Sequence, residues 1–404
     1  MISICFYFEV HQPYRLRPFH FLDIGQGSGP YDYFDDELNR SVVRKVAEKC
    51  YMPATNALLE LVEKHQGAFH FTFSITGIAI EQFRMWAPEV LENFRKLART
   101  GCVEFLAETY YHSLSSLYSE EEFRDQVHMH MKTMRQEFGV TPQSFRNTEL
   151  IYSNHIAWLA RSMGFQSILL EGAERILDWR SPNYGYHPQY SPGIRCMLKN
   201  YRLSDDIAFR FGEKSWSEYP LTADKFARWV HAIAGNGTTV NLFMDFETLG
   251  EHQWAETGIF EFLRSVPTEI LRHQDFRFRT ITESLKHVGD WGAIDTDAPV
   301  SWADTERDLT AWLGNSMQRE AIQALFDLEA HVRASGDPEL LDVFRRLQTS
   351  DHFYYMCTKY FNDGDVHKYF SPYNSPHDAY VYFMNALYDF RQRVEDRQPQ
   401  ALSA

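Results

Sequence analysis

Short β-rich runs alternate with helix-like stretches through the first two-thirds of the chain, and no other feature limits the fold so much. The runs fall at residues 2–9, 69–75, 103–107, 144–150, 167–171, 196–201 and 240–246, with 276–282 following. Each is rich in β-branched, aromatic or Leu residues. Several are almost continuously apolar, as parallel strands covered on both faces must be. The intervening stretches carry helix signals. Ser119-Glu120-Glu121-Glu122 reads as a capping box, and Phe123, Val127, Met131, Met134 and Phe138 then mark one helical face before Gly139. Pro53 opens another helix, with Leu58, Leu59, Leu61 and Val62. Strand–helix–strand crossovers keep one hand, so seven or eight of them in succession wind into a closed barrel.

After about residue 290 the strand signals stop. Residues 317–333 read as a helix, and Asp337-Pro338 supplies an N-cap and N1 proline for the next, running to about Gln348. Residues 351–393 are aromatic-rich, with a helix from about Ser375 that carries Tyr380, Phe383, Leu387 and Phe390; the tail from Glu395 is polar. The expected organisation is an α/β barrel over residues 1–290 and a helical domain over 291–404. A chain of 404 residues is long enough for both.

A net charge of -15, with no Lys/Arg cluster, argues against nucleic acid or an anionic membrane as partner. A neutral substrate is compatible with it. Aromatics make up 15% of the chain, which suits either a well-filled core or a cleft that stacks on sugar rings. Cys5, Cys50, Cys102, Cys196 and Cys357 are dispersed, without CxxC or metal-type spacing, as expected of thiols in a reducing compartment. The N-terminus has no basic region before its apolar run, and no apolar stretch approaches the ~18 residues that span a membrane. A soluble, cytoplasmic protein is expected.

In a parallel barrel, functional groups stand at the C-terminal ends of strands. Four places qualify: His11-Gln12-Pro13 after the first run, Glu108 to His112 after the third, Glu149 in the fourth, and Asp245-Phe246-Glu247 at the end of the seventh. Glu149, followed by Leu150 and Ile151, is costly to bury unless it pairs with Arg146 or has chemistry to perform. Asp245 ends the apolar run Val240 to Met244. If that strand continues, Glu247 faces the same way as Asp245 and supports it. Two carboxylates on different strands facing one cleft are the minimum set for cleaving a glycosidic bond. One attacks the anomeric carbon while the other, protonated, donates to the leaving oxygen; a separation of about 5–5.5 Å implies retention. No metal or other cofactor is expected, because His128-x-His130 lie mid-helix on different faces and His252 and His273 lack partners at ligand spacing. Asp205-Asp206 reads as a substrate contact or a solvated turn.

These segments resemble glycoside hydrolase family 57 at five places, in order, over most of the chain. His11-Gln12-Pro13 resembles the family's first motif, GCVEFLAETYYH (residues 101–112) the second, and Thr148-Glu149 the third. Asp245-Phe246-Glu247-Thr248-Leu249-Gly250 resembles the fourth, and SWADTERDLTAWLGN (residues 301–315) the fifth. The resemblance implies an incomplete seven-stranded (β/α) barrel followed by helical elements, which makes residues 276–282 peripheral. It implies double displacement on an α-glucan, with Glu149 as nucleophile and Asp245 as acid/base. It also implies sugar contacts from His11 and His112 and stacking walls from Trp302, Trp312 and Trp254, each of which could instead be packing. Asp308 would contribute from the fifth motif. Whether water or a second glucan accepts the glycosyl group stays open between an amylase and a glucanotransferase or branching enzyme, as does the oligomeric state.

Overall fold

Nine consecutive buried residues, Ile2–Val10, form β1, around which the first unit is organised. The computed structural model describes residues 1–27, 29–359 and 371–397. Six further parallel strands follow in order: β2 (Phe71–Ile75), β3 (Val103–Phe105), β4 (Ser144–Arg146), β5 (Ser167–Glu171), β6 (Arg195–Lys199) and β7 (Thr239–Asp245). Continuous ladders join β7 to β1, β1 to β2 and β2 to β3, and separately β4 to β5 and β5 to β6. Two thinner seams complete the ring. Ala107 N–H donates to Ser144 O at 3.0 Å, and Arg146 N–H to Ala107 O at 2.9 Å. At the other seam Asn200 N–H donates to Asn241 O, and the Asn241 side chain to Leu198 O, both at 2.8 Å. The result is the expected incomplete seven-stranded barrel. β8 (Phe276–Phe278) pairs only with the first residues of β1 among the described strands, the peripheral place expected for residues 276–282.

Strand periodicity sorts the side chains of β1 into two sets. Ile4, Phe6, Phe8 and Val10 pack outward with helices Met52–Lys64, Gly77–Trp86, Pro88–Arg99 and Ile259–Leu271, in a core that includes Leu58, Phe83, Phe94 and Phe262. Cys5 and Tyr7 face the barrel interior with Leu169, Met197 and Phe243.

The second unit comprises Pro13–Ser41, Thr109–Gln126 and Ala303–Ala404. The expected division at residue 290 therefore needs two changes. The first unit runs to Trp302, and two early segments join the helical part. Hydrogen bonds within the second unit explain why. Tyr33 Oη donates to Asp389 at 2.6 Å, Asn385 to Phe19 O at 3.0 Å, and Tyr373 Oη to Leu16 O at 2.9 Å. Buried Glu122 accepts from Arg345 Nε at 2.8 Å and Arg333 Nη2 at 2.6 Å. Glu122 thus pairs across the unit, while Ser119 Oγ caps the helix Glu120–Phe138 at the Glu122 amide, 3.2 Å. The helix expected over 317–333 is two helices, Ser316–Phe326 and Glu329–Ser335. Pro338–Leu347 has Asp337 as its N-cap, and the last helix is Pro376–Arg397. Part of the aromatic-rich stretch, residues 360–370, and the tail 398–404 lie outside the described residues. No helix among the described residues is long and apolar enough to cross a membrane. The five cysteines are buried and unbridged.

Candidate active site

Two residues beyond the apolar interior layer, the strands turn charged. Tyr7 is followed on the same face by Glu9, Leu169 by Glu171, Met197 by Lys199 and Phe243 by Asp245, since side chains repeat every second residue. Glu9 and Asp245 stand opposite each other in the β1–β7 register. Arg146, fully buried at the end of β4, ion-pairs with Glu9 and lies 3.5 Å from Glu108. Burial opposes its charge, but Glu9, Tyr7, Glu108 and Glu149 outweigh that and hold the guanidinium above its ordinary range. Lys199 lies 3.5 Å from Glu171 and 2.9 Å from Asp205. The chain approaches closely here: a Cβ on Gly172 would lie 2.2 Å from the Lys199 carbonyl oxygen, so only glycine lets β5 and β6 end side by side.

Glu149 does not extend β4. The strand ends at Arg146, and Thr148–Leu150 is a 3-10 turn in which Glu149 has φ 57° and Leu150 φ 50°. Two successive left-handed, non-glycine residues cost about 1–3 kcal/mol each. The turn is held by a short antiparallel bridge. Tyr152 and Val300 exchange backbone bonds of 2.8 and 2.9 Å, and Trp302 N–H donates to Glu149 O at 3.2 Å. The Trp302 indole N–H then donates to Glu149 Oε2 at 2.7 Å. Arg146 and Lys199 lie 5.3 and 5.4 Å from the same ring. Asp245 ends β7, and its side chain makes no capping bond to the following Phe246–Thr248 turn. Glu149 and Asp245 are both partly exposed.

Because β7 stops at Asp245, Glu247 lies in that turn, buried, with Tyr51 donating to it. Gln12 in turn donates to Tyr51 Oη at 3.0 Å, and Gln82 to Gln12 O at 2.7 Å. Gly250 closes the segment at φ 111°, where a Cβ would lie 2.0 Å from the Lys49 carbonyl oxygen; hence the final glycine of D-x-E-x-x-G. Burial, and secondarily the charge of Asp245, pushes the Glu247 carboxyl up to about 8. A carboxyl raised in the folded state binds a proton that the unfolded chain has released. Its contribution is therefore full below the unfolded pKa and is lost as pH rises toward 8. Thermal melts from pH 5 to 9 should show Glu247→Gln losing less stability than the parent over that rise. Parallel profiles would refute the assignment.

The remaining candidates divide. His11, partly exposed, has Nδ1 3.0 Å from Thr76 Oγ1. Trp254 is 59% exposed, with the Lys49 ammonium 5.6 Å from its ring. His112, Asp308 and Trp312 belong to the second unit. There His112 is buried at φ 53° and its carbonyl accepts from Ser350 N–H at 2.9 Å. Asp308 accepts from the Thr310 amide at 2.8 Å, a turn-forming contact. Trp312 is 1% exposed, with its ring 6.4 Å from that of Tyr354. Asp205 pairs with Lys199 and Asp206 with Arg210. His130 is buried with Nε2 2.8 Å from Ile75 O, whereas His128 is exposed, so they do face different ways. The sequence offered Arg146 only as a partner for Glu149 and passed over Glu9, Glu171 and Lys199. The signal was present for those three, in a charge two residues after an apolar interior position, as it is for Asp245.

A model of glycosyl hydrolase family 57 matches residues 5–297, which include both carboxylates and all but the first residues of β1 of the seven strands. The chain belongs to glycosyl hydrolase family 57. A Methanocaldococcus jannaschii protein named "Putative alpha-amylase" is 44% identical over 406 residues, covering 97% of this family 57 chain and 85% of its own. Among solved structures, a branching enzyme of Thermococcus kodakaraensis superposes with TM-score 0.69 at 12% identity, over 98% of this chain and 94% of that one. The 4-alpha-glucanotransferase of Thermococcus litoralis gives 0.67 at 14% identity, over 87% of this chain. The chain spans about half of that glucanotransferase, 56%. At such identities the likeness is one of fold.

Proposed function

We propose that this family 57 protein is a retaining glycoside hydrolase that cleaves α-glucosidic bonds in starch- or glycogen-type glucans. One observation carries the reading. Of the carboxylates gathered at the strand ends, Glu9, Glu108, Glu171 and Glu247 are buried, whereas Glu149 and Asp245 keep solvent access. Groups that must touch a polymeric substrate need that access. In the proposed mechanism the Glu149 carboxylate attacks the anomeric carbon as the Asp245 carboxyl gives its proton to the departing glycosidic oxygen. Asp245, now ionised, takes a proton from water, whose oxygen displaces Glu149 and restores it. A neutral Glu247 beside Asp245 spares it a second negative charge. By the family resemblance, His11 is the proposed partner of a sugar hydroxyl.

Maltooligosaccharides, amylose and pullulan incubated side by side test the substrate class. New reducing ends from the first two are the expected result. A redistributed ladder without new reducing ends would instead assign a glucan as acceptor, and no change on any glucan would refute the proposal.

A further inference from the structure

Trp302 is offered by the fifth motif as a wall for sugar stacking, yet its polar edge is already engaged. The indole N–H donates to Glu149 Oε2 at 2.7 Å, across 153 positions of sequence. Three backbone hydrogen bonds, Tyr152 with Val300 twice and Trp302 with Glu149, fix the two residues side by side. The ring is only partly exposed, and the Arg146 guanidinium and the Lys199 ammonium lie 5.3 and 5.4 Å from its centroid. Both cations are themselves anchored, Arg146 by Glu9 and Lys199 by Asp205 and Glu171. An indole held in this way has little freedom to follow a substrate, but a fixed donor for a carboxylate that sits in a strained, left-handed turn.

We infer that Trp302 is a positioning residue for Glu149: its N–H fixes one carboxylate oxygen so that the other faces the anomeric carbon. The inference rests on the proposed role of Glu149 as nucleophile. The indole donates to the ionised form of the carboxylate and takes no part in any bond made or broken. Its contribution is to the attack that forms the glycosyl-enzyme, a role distinct from stacking under a sugar. A hydrogen bond to a charged group of this kind corresponds to about a tenfold to hundredfold effect on rate.

Two replacements at this position separate the roles. Trp302→Phe removes the N–H, and 3-benzothienylalanine at position 302 keeps the fused ring and puts sulfur where the N–H was. The reaction followed is cleavage of an aryl α-maltoside across pH 4–9, with Glu149→Gly plus azide run beside it. Both replacements are expected to lower kcat about tenfold to hundredfold, leave KM within about twofold, and move the acid limb of kcat/KM to higher pH. The limb moves that way because a carboxylate that loses a donor holds its proton more tightly. A benzothienyl variant with parental kcat and pH profile would overturn the inference, as would a Phe variant that changes KM alone. If azide restores Glu149→Gly as a β-glycosyl azide while the position-302 variants behave as the parent, the positioning role alone fails. If azide restores nothing, the nucleophile assignment and this inference fall together.

Discussion

Glu149→Gly is expected to lower turnover of maltooligosaccharides by about four orders of magnitude or more, because the covalent route vanishes and no neighbouring buried carboxylate has access to take its place. Binding of the oligosaccharide should be nearly unchanged when measured by calorimetry. The same replacement should leave the fold as stable or raise its stability by about 1 kcal/mol, since glycine adopts φ 57° without the strain a side chain brings. Loss of activity without loss of stability is thus the expected combination. Asp245→Asn completes the test. It should be severely impaired on maltooligosaccharides but much less so on a substrate whose leaving group needs no proton, such as α-maltosyl fluoride. A Glu149→Gly enzyme that retains turnover would end the assignment.

The largest effect on stability is expected from Arg146→Met. The guanidinium is fully buried between Glu9 and Glu108, so its removal takes the guanidinium charge away from two buried carboxylates. Breaking a buried pair in this way costs about 3–5 kcal/mol. Replacing the whole set by neutral groups should recover most of it, because the desolvation penalty disappears with the charges. Urea denaturation of Arg146→Met and of Arg146→Met/Glu9→Gln/Glu108→Gln at pH 7 would measure both. A midpoint change worth less than about 1 kcal/mol in the single variant, at unchanged slope, would contradict this account.

Much of the barrel was legible because its information is local. Strand periodicity and apolar runs placed all seven strands within a few residues, and Asp337-Pro338 marked its helix correctly. Glu149 and Asp245 stood out as carboxylates set against apolar neighbours. Other expectations failed where a local pattern was extended too far. Residues 144–150 read as one strand, but the chain turns left-handed after Arg146, so Glu149 is presented by a turn. Glu247 was expected to share the face of Asp245 along a strand, and it enters the outer core toward Tyr51 instead. The capping-box glutamate, Glu122, pairs with Arg333 and Arg345 instead of with the helix end.

By itself, the sequence marked the order of the parallel strands, with their number left at seven or eight, and the strand ends at which charged residues stand, Glu149 and Asp245 among them. It did so because burial imposes a period on neighbouring residues, and that period can be read without knowing the fold. Only the tertiary structure decided which charges are buried and which are reachable, and which partners hold them. The Trp302–Glu149, Arg146–Glu9 and Tyr51–Glu247 contacts span 153, 137 and 196 positions. No local pattern encodes such pairings, for they come into being when the ring of strands brings distant segments together. The same holds for the second unit, whose early segments are assigned by hydrogen bonds to the last helix rather than by their place in the chain.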